Sequence, residues 1–240
     1  MPNEPYWIEG FGAGQALAIA AWPHGALAVG TNTVLYTYPG PWAQPWVQQP
    51  SPALKAIAAS QSIVYGLQSD GQVARRIGSQ WHPFAGSAAW NAQDIGVTED
   101  DRVLVVAGGA LRAVEGGQLK DTLCASITVA SVAGVSGDEA FLLDQSGALH
   151  RVAGGRCERV ETPVAMLRIA ATTGRLLAVS VDGAIWRRRD GREWTRLPAP
   201  IKYRPGRRGF RTEARQVAVS ANSSWVLDHE GSIFVLSDET

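Results

Sequence analysis

The sequence predicts an all-β ring in one domain: six four-stranded antiparallel blades, closed by the N-terminal strand. Three observations carry this expectation. The first is a repeat. With Gly183 as anchor, the equivalent positions Thr33, Gly71, Gly109, Gly147, Gly183 and Gly231 are 38, 38, 38, 36 and 48 residues apart. Two residues after each anchor stands an aliphatic residue: Leu35, Val73, Leu111, Leu149, Ile185 or Ile233. The second is a small residue thirteen positions before every anchor: Ala20, Ala58, Gly96, Gly134, Ala170 and Ala218. The third is a final unit that stops one strand short. A period near 38 with several short strands per unit is the pattern of a β-propeller.

The unit from Arg168 to Arg188 shows how each strand is read. Ile169 to Ala171 form the first strand, Gly174 the turn, Leu176 to Ser180 the second strand, and Asp182-Gly183 the next turn. The third strand begins at Ala184-Ile185-Trp186. Short β-branched and aromatic runs between Gly-containing turns form a meander. The fourth strand is marked by a Trp with Pro four residues later, as at Trp194/Pro198 and Trp46/Pro50, with Trp81 a looser case. The small residue has a steric reason: innermost strands converge on the axis, where only Ala or Gly lets neighbouring backbones approach. An open solenoid such as a β-helix would need capping ends and a shorter period. The chain ends favour a ring instead. After Ser232 to Leu236 the chain reaches Thr240 without an outer strand, while Pro5-Tyr6-Trp7-Ile8 has the character of that strand. Trp7 is therefore expected in the outermost strand of the blade containing Ile233, which removes an exposed edge. The units run over about 15–50, 51–86, 87–123, 124–163, 164–198 and 216–240, the last closed by 5–9.

The repeat resembles the tectonin-type propeller family. Ile169 to Arg187 followed by Trp194-Thr195-Arg196-Leu197-Pro198 is the best match to its units, which carry an aliphatic-small-aliphatic strand, D-G-x-aliphatic-aromatic-x-R and W-x-x-aliphatic-P. The likeness is uneven: the second unit has Ala74 where the aromatic belongs, and the third has Gly108-Gly109 and Arg112. The resemblance implies the fold and a lectin-like or surface-recognition role. It transfers no glycan-contacting residue to this chain.

Composition agrees with one globular domain. Of the 240 residues 45% are hydrophobic, Gly (26) and Pro (13) supply turns, and the net charge is zero. Neutrality argues against nucleic acid. The start MPNEPYWIEG lacks the features of a signal peptide, and no apolar run suits membrane insertion. Cys124 and Cys157 stand at non-equivalent repeat positions and are expected to be reduced, in a cytoplasmic protein. Richness in Ala, Gly and Arg suggests a bacterial source.

Little points to catalysis. His24, His82, His150 and His229 are scattered through the repeat, and no metal-ligand or nucleophile motif accompanies them. His150 shares a repeat position with Tyr36, Trp186 and Phe234, which suggests packing. Enzymes on six-bladed rings place carboxylates, Asn or His round the channel, whereas the inner strands here offer mainly Ala, Val and Ile. No catalytic residue, metal or cofactor is expected. Glu99-Asp100-Asp101 falls in a hairpin turn and is read as solvated. Tyr38 to Trp46 is rich in Pro and Trp; it could stack on a sugar or a partner, but Trp46 as a packed outer-strand residue is the simpler reading.

The period is broken once, between Pro198 and Gln216. From Arg187 to Arg215 there are 11 Lys/Arg and 3 acids in an otherwise neutral chain. The insert should share a face with the Asp-Gly turns. Lys202, Tyr203, Arg204, Arg207, Arg208, Phe210 and Arg211 are the candidate partner-binding residues, since guanidinium and aromatic groups together suit an anionic surface. The expected function is a non-enzymatic interaction or scaffolding propeller, a subunit or accessory of a larger complex of the ATPase-linked kind. The alternative is a tectonin-like lectin binding glycan or lipopolysaccharide.

Overall fold

The computed structural model describes residues 6–9, 14–22, 25–38, 46–191, 193–203 and 209–236. They form six four-stranded antiparallel sheets in a ring, with a two-stranded hairpin beside them. The first blade comprises Ala16–Trp22, Gly25–Gly30, Leu35–Tyr38 and Val47–Gln49. The second comprises Leu54–Ala59, Val64–Gln68, Val73–Ile77 and Gln80–Pro83. The third holds Ala92–Val97, Val103–Ala107, Ala110–Glu115 and Gln118–Leu123, and the fourth Val129–Ser136, Glu139–Asp144, Leu149–Ala153 and Arg156–Val160. The fifth holds Met166–Thr172, Arg175–Ser180, Ile185–Arg189 and Thr195–Arg196. The sixth has Ala214–Val219, Ser224–Asp228 and Ile233–Leu236, completed by Trp7–Glu9.

Closure occurs as the short last unit predicts. Trp7 pairs with Leu236, Ile8 with Val235 and Glu9 with Phe234. Trp7 is buried and donates its indole N–H to the Pro198 carbonyl at 2.8 Å. That bond belongs to a repeated device. Trp81 donates to Pro50 O at 2.9 Å and Trp194 to Glu161 O at 2.9 Å, so each of these outer-strand tryptophans pins its blade to the end of the preceding one. At Trp7, where the bond is partly buried, an unbonded indole N–H would carry a desolvation cost.

The anchor position is left-handed in every blade. Gly71, Gly109, Gly147, Gly183 and Gly231 have φ between 74° and 84°, and Thr33 adopts φ 64° in the same place. A β-branched residue is strained there, and Asn32 supports the turn by donating Nδ2–H to the Tyr36 hydroxyl at 2.8 Å. Asp144 closes the corresponding turn in the fourth blade, accepting from Ser146 N (2.9 Å), Ala148 N (3.0 Å) and the Ser146 hydroxyl (2.6 Å). Partial burial opposes ionisation, but these bonds and His150 at 3.1 Å prevail and hold its carboxyl at about 2. His150 thus serves the turn as well as the packing.

Two readings of the sequence change. Cys124 and Cys157 are not reduced: they form a disulfide with Cα atoms 5.8 Å apart. It links the end of the third blade's outer strand to the fourth blade's outer strand, a proximity created by ring packing and hidden in the sequence. Opening a bond that spans 33 residues is expected to lower stability by about 2–4 kcal/mol, read from urea unfolding of Cys157→Ser beside the oxidised chain. Equal unfolding free energies would show that the bridge constrains nothing.

The acidic triplet is not merely solvated. Asp101 accepts from Ser60 and Ser62 of the second blade, and Asp100 accepts from Gly137 N of the fourth at 2.7 Å. Glu99 reaches the fifth blade, accepting from the Thr172 hydroxyl, from Thr173 N at 2.8 Å and from the Thr173 hydroxyl at 2.8 Å. One turn therefore ties three other blades together.

Candidate functional site

The inner strands run side by side round the axis and enclose a channel of about 570 Å³. Every inner strand carries a bulge near its N-terminal end. The register shifts between Ala16/Ala18, Leu54/Ala56, Ala92/Asp94, Val129/Ser131, Met166/Arg168 and Ala214/Gln216. An extra residue in one strand re-aims its side chain out of the pleat. The residues so displaced are Leu17, Lys55, Gln93, Ala130, Leu167 and Arg215, all lining or bordering the mouth, and all but the half-buried Arg215 are exposed. Their preceding neighbours, such as Leu54 and Met166, are buried.

This device gives the mouth a polarity that the Ala-, Val- and Ile-rich strands conceal. Lys55 Nζ–H reaches the Ala92 carbonyl of the next blade at 3.3 Å. Arg215 donates from Nη2 to the carbonyls of Ala16 and Leu17, each at 2.7 Å, and Gln216 donates to Ile19 O at 3.4 Å. Arg168 donates to its neighbour's carbonyl, Leu167 O, at 2.9 Å. Asp94 accepts from Val132 N at 3.0 Å. Burial pushes the Asp94 carboxyl up against the opposing pull of Ser131, Val132 and Arg168. Burial also lowers the Arg215 guanidinium, with Arg168 adding to the effect and Asp228 opposing it. The expectation of an apolar channel is corrected accordingly: Lys55, Gln93, Asp94, Arg168, Arg215 and Gln216 line it.

The basic insert begins beside the same mouth. Ile201–Lys202 pairs with Phe210–Arg211 as a short hairpin, Ile201 opposite Arg211. Lys202 is anchored: its Nζ lies 2.7 Å from Glu230 and also bonds Ser232, both in the sixth blade's turn, and its side chain is only 15% exposed. Thr212 secures the far side by donating to Asp228 at 3.0 Å. Tyr203 is 72% exposed, Arg211 is exposed, and Phe210 is half-buried. Arg204, Arg207 and Arg208 lie outside the described residues.

The basic run from Arg187 to Arg215 is therefore not one patch. Arg187 to Arg189 belong to the fifth blade's third strand, Arg196 faces Asp182 at 4.0 Å, and Arg215 turns into the channel. The Pro-rich interior of the 38–46 cluster also lies outside the described residues, while its ends pack as the simpler reading expects: Tyr38 is buried and stacks on Trp46 at 4.9 Å.

By sequence, no protein-family model and no curated protein matches the chain. The similarity is one of shape. YCF48 bound to D1 peptide is similar with a TM-score of 0.59 and 14% identity, over 92% of this chain and 76% of that one. A catalytically inactive virginiamycin B lyase from Staphylococcus aureus with quinupristin is similar at 0.64 and 11% identity, over 97% and 99%. The WD40 β-propeller domain of Doa1 is similar at 0.65 and 10% identity, over 99% and 98%. At such identities likeness speaks for the fold alone, and that fold, over nearly the whole chain, is the six-bladed β-propeller.

Proposed function

We propose that the chain is a protein-interaction propeller that engages an anionic partner through the face carrying the basic insert. The observation that carries this reading is the hairpin. Its base is fixed to the sixth blade by Lys202 and Thr212, while Tyr203 and Arg211 stand out to solvent. Side chains carried on a hairpin base that is already fixed lose less freedom on binding than those of an untethered segment. Arg204, Arg207 and Arg208 extend the same segment and supply further bidentate oxyanion donors. One of the structurally similar propellers is bound to a peptide, which fits this reading; another is a lyase, so the fold serves both roles. A binding role suits a mouth that gathers cations and amides around one carboxylate, Asp94. The partner is conceived as a protein surface within a larger assembly of the ATPase-linked kind.

Replacing Arg204, Arg207, Arg208 and Arg211 by Glu is expected to abolish capture of the partner and leave the melting midpoint within a degree or two, since surface changes shift stability little. Lys202 is kept out of that variant because its bond to Glu230 anchors the hairpin. Capture should also fall steeply with salt. Full affinity in the variant would reject the reading.

The tectonin-like resemblance suggests a second reading, a lectin, and one feature favours it. A groove of about 500 Å³ between the sixth and first blades is lined by Tyr36 and Trp46 together with Glu9, Gln15 and Asn32. Aromatic faces beside amide and carboxylate groups suit a sugar ring. Glycan-array binding lost in Trp46→Ala would select this reading over the first. The setting of the protein is also open to test: a cytoplasmic location was expected from sequence, whereas the Cys124–Cys157 bridge fits an oxidising compartment.

A further inference from the structure

We propose that the channel mouth is a binding site for a small molecule bearing oxyanion groups, carboxylate or phosphate, held by Lys55, Arg168 and Arg215. The site is distinct from the insert and does not depend on its role.

Four observations converge. The cavity of about 570 Å³ falls within the range of small-ligand pockets. Three cations reach it from the second, fifth and sixth blades, so they come from opposite sides of the ring and not from one strand. Two of the three, Lys55 and Arg215, are the bulge residues themselves, and Arg168 follows the bulge of its own strand. The bulge recurs in all six blades, so the positioning belongs to the fold, and only the residue type differs from blade to blade. At the same position the first, fourth and fifth blades have the uncharged Leu17, Ala130 and Leu167.

Charge balance supports the same conclusion. Asp94 is the one acid lining the channel among the described residues. Its carboxylate is committed to Val132 N and Ser131, and burial favours its neutral form. It cannot neutralise three cations. Arg168 and Arg215 act on each other unfavourably, burial adds to the cost of the Arg215 charge, and Asp228 offsets only part of it. Like charges brought together in a partly desolvated cleft mark a site that an anion completes. Arg168 uses Nη1 and Arg215 uses Nη2 on backbone carbonyls, so among the described residues the other guanidinium nitrogens are available for bidentate contact.

The opposite end of the channel is bridged. Glu99 crosses from the third blade to Thr172 and Thr173 of the fifth, passing the intervening fourth. A compact ligand with two or more oxyanion groups can meet cations on both sides of the opening at once.

The test is calorimetric titration of the full chain at low ionic strength with citrate and, separately, with inorganic phosphate. Saturable binding of at least one of them at one site per chain is expected, and the stronger of the two identifies the oxyanion. Lys55→Gln and Arg168→Gln should each weaken it about tenfold, as expected on losing a charge-assisted bond. Both side chains are exposed and, among the described residues, each donates one hydrogen bond to a carbonyl, so the melting midpoint without ligand should stay close to the parent's and confirm folding. Arg211→Gln on the insert should bind like the parent. Absence of saturable binding by both anions overturns the proposal. So does undiminished affinity in the Lys55→Gln, Arg168→Gln double variant, or an equal loss in Arg211→Gln, which would mean diffuse attraction to surface charge.

Discussion

Removal of residues 1 to 9 is expected to lower the unfolding free energy by about 3–5 kcal/mol or more, the largest loss predicted for this chain. The segment contributes little length but closes the ring. Trp7 is buried among Leu177, Val179, Phe234 and Leu236, and burial of a Trp alone has an effect of that order. Its indole bond to Pro198 O joins the sixth blade to the fifth, and its strand pairs with Phe234 to Leu236. Without it, that buried strand becomes a free sheet edge with unpaired N–H and C=O groups, which promotes association with other chains. Thermal unfolding with size-exclusion chromatography would read both effects. Trp7→Ala separates them: it should reproduce most of the stability loss and little of the association, because the backbone pairing remains. A truncated chain that stays monomeric with an unchanged midpoint would reject closure by this strand.

That closure was legible in the sequence because it rests on a deficit in a counted repeat. The same holds for the anchor turns, where glycine, or Thr33 in its place, marks a left-handed residue. The tryptophan marker was legible as an outer-strand signal, though its interblade hydrogen bonds were not. What escaped the sequence shares one cause. Lys55, Arg168 and Arg215 appear there as isolated charges in apolar strands, and only the bulges, at Lys55 and Arg215 or just before Arg168, and the closed ring bring them to a common mouth. Glu99 and Thr172 lie 73 residues apart and meet only after two blades pack against a third. The disulfide is likewise a consequence of adjacent blades. Period and residue size are local properties and survive in one dimension; convergence on an axis exists only once the ring has closed. The insert shows the intermediate case. Its basic composition is plain in the sequence, whereas Lys202, expected among the partner-binding residues, anchors the hairpin.

Gly134→Val is expected to destabilise the fold by about 3 kcal/mol, at the upper end of the range for overpacking. Six small residues were expected where inner strands approach the axis, and the structure shows that they are not equally constrained. A Cβ added at Gly134 would lie 2.6 Å from the carbonyl carbon and oxygen of Val97 and 2.7 Å from Thr98 N. These are backbone atoms of the adjacent blade, held by the Val97–Val103 pairing and by the bond from Thr98 N to Arg102 O, so they cannot swing aside as a side chain would. The backbone torsion of Gly134 is not among the left-handed ones, so the cost is one of contact and not of φ. At Gly96 an added Cβ would also meet backbone, Gly134 N at 3.2 Å and Val132 O at 3.3 Å, but these contacts call for a shift of only a few tenths of an ångström. Ala170, by contrast, is only half-buried and borders the channel, so Ala170→Leu can lean into open space and should cost less than Gly134→Val. The expected order of urea midpoints is therefore Gly96→Ala near the parent, Ala170→Leu lower, and Gly134→Val lowest, with Gly134→Ala already measurably destabilised. Parent-like stability in Gly134→Ala would mean that the third and fourth blades do not meet at Val97 and Gly134. The reverse order for Gly96 and Gly134 would place the tightest approach of the inner strands elsewhere on the ring.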